Sequence, residues 1–229
     1  MDLISQIVNE LIDDSKSLNG ALLKTKVLAS RIGNQELLDW TNAELSGYTK
    51  KDILPEYRKN IANSLKGTVI NFNTKYSNQE IPTSNLDKAL EFSLRHTNFT
   101  VSISALESLI NQNTNVLVSA ISAELTHQLE VNWVNMGNPY LSIVSCNRII
   151  TKGQIVAVIA NVRSKLLDFM LAIETEFGES VEIKDLLDKN KKITTMMHHT
   201  IINNNGSGNS INTGNDNLLS NGFFGGKSE

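Results

Sequence analysis

Between Ile155 and Phe177 apolar residues recur at alternating steps of four and three (Ile155, Ile159, Val162, Leu166, Phe169, Ile173, and Phe177 after a last step of four). Only a single long helix satisfies that spacing. At ~1.5 Å per residue the rod is about 35 Å long, roughly the width of a domain of this size. Gly178 stops it. Val158, Leu167 and Met170 widen the apolar arc, so the rod has to be covered on more than one side. It reads as a central core helix, with a coiled-coil contact between two copies as the alternative use of part of the seam.

A second periodic region lies near the start. Residues 3–12 carry Leu3 or Ile4, Ile7 or Val8, and Leu11 or Ile12 on one face, and Asp13, Asp14 and Ser15 end that helix. From Ser17, the residues Leu18, Leu22, Thr25, Ala29 and Ile32 keep helical spacing, with cap side chains available at Asp14 to Ser17. Gly33 can adopt the left-handed conformation that ends this helix, and Asn34 can cap the next. Leu38, Thr41 (or Trp40) and Leu45 then form another stripe, closed by Gly47.

The texture changes after Tyr48. Pro55 interrupts helix, and Ile61 to Tyr76 is rich in Asn, Thr and β-branched residues. Thr68 to Phe72 reads as a strand, with Ile61 to Leu65 its partner across Lys66-Gly67. Ile81-Pro82 sets an extended entry; Ser84 or Asn85 caps a helix through Leu94, and Ser104 caps another over Leu106 to Ile110. Leu117, Ile121, Leu125 and Leu129 predict a helix from Asn115 to Trp133, which Gly137-Asn138-Pro139 ends. Tyr140 to Ile150 reads as a further short helix, broken at Lys152-Gly153, and Ser180 to Lys192 as a short surface helix. The fold class expected is mainly α. A multi-helix domain spans residues 1–178, with a small inserted β pair at about 61–76. A short connecting helix covers 179–194, and 195–229 form an Asn/Gly-rich C-terminal arm, β-structured or disordered.

The run ALLK-x-KVLASRIGNQELLDW-x-x-x-ELSGY within Ser17–Tyr48 resembles the opening of the AbiTii-type domain, named for a bacterial abortive-infection (phage-resistance) system. The later order of a Pro-Glu-Tyr-Arg segment, a small sheet and a helix bearing VRSKLLDF is similar to the same arrangement. The resemblance covers most of residues 1–178 and implies a role in bacterial antiviral defence; it implies no particular chemistry.

Residues 195–229 are poor in apolar side chains and rich in Asn, Gly and Ser, which favours disorder because little surface offsets chain entropy. Against that, Ile201-Ile202-Asn203 and Ile211-Asn212-Thr213 are near-copies, each followed by a turn signal (Asn205-Gly206, Gly214-Asn215). Such units suit hairpins, solenoid rungs or stacked Asn ladders. Leu218, Leu219, Phe223 and Phe224 add an apolar cluster at an end expected to be exposed. Both readings stay open, and an ordered arm would serve self-association or recruitment of another protein.

The remaining residues give no chemistry. A net charge of −3 offers no electrostatic reason to bind a phosphate backbone. The single cysteine, Cys146, excludes an internal disulfide and, among Ile143, Val144, Ile149 and Ile150, reads as a small buried hydrophobe. Glu124 and His127 have an i, i+3 spacing used by di-iron bundles, but the second Glu-x-x-His pair is missing. Adjacent His198 and His199 point apart in extended chain. There is no P-loop, no dinucleotide fingerprint and no Gly-x-Ser-x-Gly elbow. Arg163 with Asp168, and Arg31 with Glu36, read as salt bridges or helix-end contacts.

The expectation is therefore a cytoplasmic, non-enzymatic defence protein without cofactor or metal. It would act by protein–protein association, with itself as a homo-oligomer and with a phage or effector protein, and without membrane or nucleic acid. The interaction residues expected are Ile201, Ile202, Ile211, Phe223 and Phe224 in the arm; Trp40 and Tyr48 on the hairpin read as core or edge packing, with anchoring of a partner surface as the alternative. A triggered toxin enzyme such as a nuclease, and a structural oligomerisation module without a defence role, are the alternatives.

Overall fold

The computed structural model describes residues 3–202 apart from Asn85 and Ser180. Three helices open the chain: α1 (Leu3–Leu11), α2 (Leu18–Ile32) and α3 (Gln35–Ser46). They follow the sequence pattern closely. Ser17 caps α2, Gly33 ends it at φ 68°, and the Asn34 side chain accepts the Leu37 N–H at the start of α3. All five stripe residues of α2 are buried. On α3 the buried set is Leu37, Trp40, Thr41 and Glu44, while Leu38 and Leu45 are only partly covered.

The middle of the chain is a mixed α/β unit, which corrects the mainly α expectation with its small inserted β pair. A four-stranded antiparallel sheet has the order β3-β2-β6-β5, where β2 is Ser64–Asn71, β3 Thr74–Glu80, β5 Val116–Ala120 and β6 Leu141–Thr151. A minor two-stranded pair joins β1 (Ile61–Ala62) to β4 (His96–Thr97). Between strands lie α4 (Lys88–Arg95), capped by Asp87, α5 (Ile103–Ile110), capped by Ser102, and α6 (Ala123–Asn135), capped by Ser122. The expected strand break at Lys66-Gly67 lies inside β2, and the hairpin turns instead at Phe72-Asn73.

Two physical causes explain the misread strands. In β6, Thr68 pairs with Ser145 and Val69 with Ile143, so Val144 bulges out of register. The bulge rephases the strand, and Ile143, Cys146 and Ile150 become the buried residues. Their spacing of three and four imitates a helix although the backbone is extended. In 115–133 a strand and a helix abut. Leu117 belongs to β5 and Ile121 to the connection, so one apparent helical stripe is shared by two elements.

β6 passes directly into α7 (Lys152–Phe177), the expected rod, through a capping box of Thr151 and Gln154. Ile155, Ile159, Val162, Leu166, Phe169 and Ile173 are all buried and Phe177 partly so, and the seam is thereby spent within the chain. It packs against α1, α5 and the C-terminal elements. Arg163 reaches the carbonyls of Glu10, Leu11, Asp13 and Lys16, satisfying the end of α1, the helix-end role expected of it. After α8 (Ile183–Leu186), α9 (Asn190–Met197) continues into a π-helical turn, His198–Ile202. Ile193, Met196, Met197, Thr200 and Ile201 are buried there at helical spacing, across the boundary at 194 read from composition.

The core has two parts. One is formed by the helices, from Ile4 through Ile201; the other lies under the sheet, with Leu65, Val69, Ile81, Leu94, Leu129, Trp133, Ile143 and Cys146. Ile150 of β6 joins the first and Cys146 the second, so this strand stitches them together.

Gly67 is where β2 and β6 approach too closely for a side chain: a Cβ there would lie 2.0 Å from the Ser145 carbonyl oxygen. Gly67→Ala is expected to cost about 2–4 kcal/mol through forced strand separation. Gly153→Ala, with nothing near its added methyl, should be neutral or slightly stabilising. Thermal and urea melts of the two variants check this contrast.

Candidate functional site

Trp40 and Tyr48, read as core packing or alternatively as partner anchors, point inward to the most polar part of the core. Glu44 stands one turn beyond Trp40 on α3, and its carboxylate is fully buried beside an equally buried Arg58. The Arg58 guanidinium donates to both carboxylate oxygens, at 3.2 and 2.5 Å. Its third nitrogen donates to the carbonyls of Phe99 (2.9 Å) and Val101 (2.8 Å). The phenols of Tyr48 and Tyr57 donate to Glu44 Oε1 at 2.6 and 2.7 Å, and the Trp40 indole N–H donates to the Tyr57 oxygen at 2.9 Å. The guanidinium also lies 5.1 Å from the Tyr48 ring centroid.

Burial, reinforced by the neighbouring carboxylate, pushes both phenols far above their ordinary range, which keeps them protonated donors. With the ionic side chains fully enclosed, no ligand can touch them, and the cluster serves as structural polar core. Breaking one partner strands a buried charge. Glu44→Met or Arg58→Met should each cost about 3–5 kcal/mol by urea denaturation, with the two together less destabilising than the sum of the single changes. The raised phenols also set a pH dependence. Their native protons are retained while the unfolded chain releases its own, so stability is intact below pH ~10 and falls above it by about 1.4 kcal/mol per pH unit for each phenol. Tyr48→Phe in an alkaline melt series should shallow that slope.

The surface carries the remaining candidates. An open cleft of about 770 Å³ runs between α1, α2 and α8, lined by Leu3, Leu23, Val27, Val181, Arg31 and Lys184 among others. A second, of about 380 Å³, sits between the β2–β3 hairpin and the end of α6 and includes Val69, Tyr76, Pro82, Trp133, Met136 and Leu141. Beside Leu141, Tyr140 stacks on Phe72 with ring centroids 4.1 Å apart. The two residues are 59% and 65% exposed. Phe72 holds the first turn position at φ 54°, a left-handed conformation that normally falls to glycine. The sequence reading missed this aromatic end. Its one available signal is Phe72-Asn73, an aromatic beside a turn-former at the end of the segment that reads as a strand.

Ile201 is fully buried in the helical core and Ile202 packs partly against it, so neither is on an exposed arm; Ile211, Phe223 and Phe224 lie outside the described residues. The histidines are dispersed. His127 lies 3.7 Å from Glu130, His198 2.6 Å from Glu36, and His96 stacks on Phe92. Among the described residues no group of three or more His, Cys, Asp or Glu side chains is placed to hold a metal ion. Burial raises the Cys146 thiol, in keeping with a small hydrophobe. Among the described residues no helix is long and apolar enough to cross a membrane.

Compared with known families, the chain matches the AbiTii family model over residues 2–199. No curated protein and no solved structure matches it.

Proposed function

We propose, because the chain belongs to the AbiTii family, that it is an anti-phage defence protein acting by association with other macromolecules and without catalysing a reaction. Family membership supplies the abortive-infection setting. The association reading is carried by the aromatic end of the sheet. Holding Phe72 left-handed costs on the order of 1 kcal/mol, and leaving two stacked rings in water forgoes the burial that aromatic side chains normally gain. Clustered exposed apolar side chains beside a cleft are the usual anatomy of a contact surface. The stacked rings are rigid anchors, and the neighbouring cleft with Trp133, Met136 and Tyr76 can accept an apolar side chain from a partner. The partner proposed is a phage component, an effector protein or a second copy of this chain. The arm residues Ile211, Phe223 and Phe224 are proposed as a further contact.

Phe72→Ala with Tyr140→Ala tests the reading in a phage-sensitive host expressing the full chain. Both side chains are largely exposed, so the melting temperature should move by no more than a few degrees. Efficiency of plating should rise at least tenfold relative to the wild type. Unchanged protection in that double variant, with protection lost on Glu124→Ala or His127→Ala in a folded protein, would favour a catalytic toxin instead. Removal of the arm has to begin after Ile202, because truncation from 195 would delete Met196, Met197 and Ile201 from the core.

A further inference from the structure

The two edges of the four-stranded sheet are built differently. β3 closes one edge with Lys75 and Glu80, and with Asn78 at φ 55° near a shift in its register with β2. Charge and irregular pairing are the usual means of keeping an edge from adding strands. β5 at the other edge has neither. No Asp, Glu, Lys, Arg or His lies between Glu107 and Glu124, and the strand Val116-Leu117-Val118-Ser119-Ala120 pairs with β6 in unbroken register.

The ladder fixes which main-chain groups of β5 point outward. Lys152 N–H donates to the Asn115 carbonyl and Ile121 N–H to the Cys146 carbonyl, both at 2.9 Å. Odd-numbered residues therefore direct their N–H and C=O groups to β6, and Val116, Val118 and Ala120 direct theirs away from it. Among the described residues none donates to or accepts from those outward groups. The side chains of Val116 and Val118 are also exposed, 38% and 61%.

We infer that β5 pairs antiparallel with β5 of a second copy of this chain, across a two-fold axis at Val118. The register follows from the outward set. Val118 meets Val118 of the second copy, and Val116 meets Ala120, so every outward N–H and C=O gains a partner and the sheet becomes continuous across the dimer. A two-fold contact sets each residue against its own kind or its symmetric mate, and like charges directly opposite repel. An edge free of charge over its whole length and both flanks meets that demand, whereas the β3 edge, carrying Lys75 and Glu80, does not. The side chains that meet are small and β-branched or Ala, which fit a pleated surface. This inference rests on the association reading and names one of its partners as the chain itself.

The test is the mass of the full chain in solution, by light scattering at about 10–100 µM, for wild type, Val118→Lys and Val118→Glu. The wild type is expected to dimerise and each charged variant to associate at least tenfold more weakly, with unchanged far-ultraviolet spectrum. An equimolar mixture of the two variants should recover the dimer, because lysine then faces glutamate; a fold defect would give no recovery. In an independent readout, Val118→Cys should cross-link to a covalent dimer under mild oxidation, since paired Cα atoms of such a ladder lie ~5.5 Å apart, within disulfide reach. Buried Cys146 does not compete. A monomeric wild type, a dimer insensitive to both charges, or no cross-link at 118 would overturn the pairing. Loss of the dimer with plaque protection unchanged would uphold the pairing and overturn its place in the proposed function.

Discussion

The buried ion pair of Glu44 and Arg58 is the constraint on which the rest of the fold turns. Two charges removed from water cost several kcal/mol each, and their mutual attraction offsets this only with well-made geometry and satisfied remaining lone pairs. Here that condition is met. The carboxylate accepts from two guanidinium nitrogens and from two phenols, and the third nitrogen donates to two main-chain carbonyls. Meeting it fixes α3, the turn at Glu56–Arg58 and the segment before α5 relative to one another. The main chain follows the same ties. Phe99 N–H donates to the Arg58 carbonyl at 2.8 Å and Tyr48 N–H to the Thr100 carbonyl at 2.7 Å. Beyond Arg58 the chain enters β1 and then β2, so the network also sets where the sheet begins relative to the helices.

From the other direction, β6 and α7 form one continuous piece through the capping box at Thr151. The strand contributes Ile143 and Cys146 to the sheet core and Ile150 to the helical core, and α7 runs on through the centre of the latter. The Gln154 side chain also donates to the Ala62 carbonyl, tying the start of α7 back to β1. The two cores therefore share one strand-helix unit, with Ile150 and the Gln154–Ala62 tie at its joint.

What the sequence made legible follows from how far a signal reaches along the chain. The helices α1, α2, α3 and α7 were readable because caps, stripes and stops act within a few residues and were all local. The core role of α7 was readable for the same reason. Glu44 was not, because a glutamate on a helix signals solvent unless its partner is known, and that partner is Arg58, beyond a loop and a proline. Of the sheet only the end of β2 showed, as the strand read at Thr68 to Phe72; the other strands were disguised by the bulge at Val144, by the abutment of β5 with α6, and by the wholly exposed β3, where no residue is buried to set a period. The end of the helical core at Ile193 to Ile201 was hidden by composition. The Asn, Gly and Ser content of the following residues placed the start of the arm too early, although the buried residues kept helical spacing up to the last described turn.

The same division bears on function. The motifs that carry the family resemblance, Ala21 to Tyr48, Pro55 to Arg58 and the α7 run, are scaffold, built around the buried residues of the helical stripes and the Glu44–Arg58 cluster. A resemblance resting on such residues reports a shared fold and a shared setting in defence, and is silent on what the surface meets. The features proposed as contacts, the stacked rings of Phe72 and Tyr140 and the bare edge of β5, lie at opposite margins of the sheet. The hairpin turn stands at one end of β2, β3 and β6, whereas β5 is the outermost strand on the far side of β6. On this geometry a dimer joined through β5 leaves both aromatic ends free, one on each outer flank. Two copies of the same anchor on a rigid, continuous sheet would engage a repeated target with an avidity that neither copy has alone.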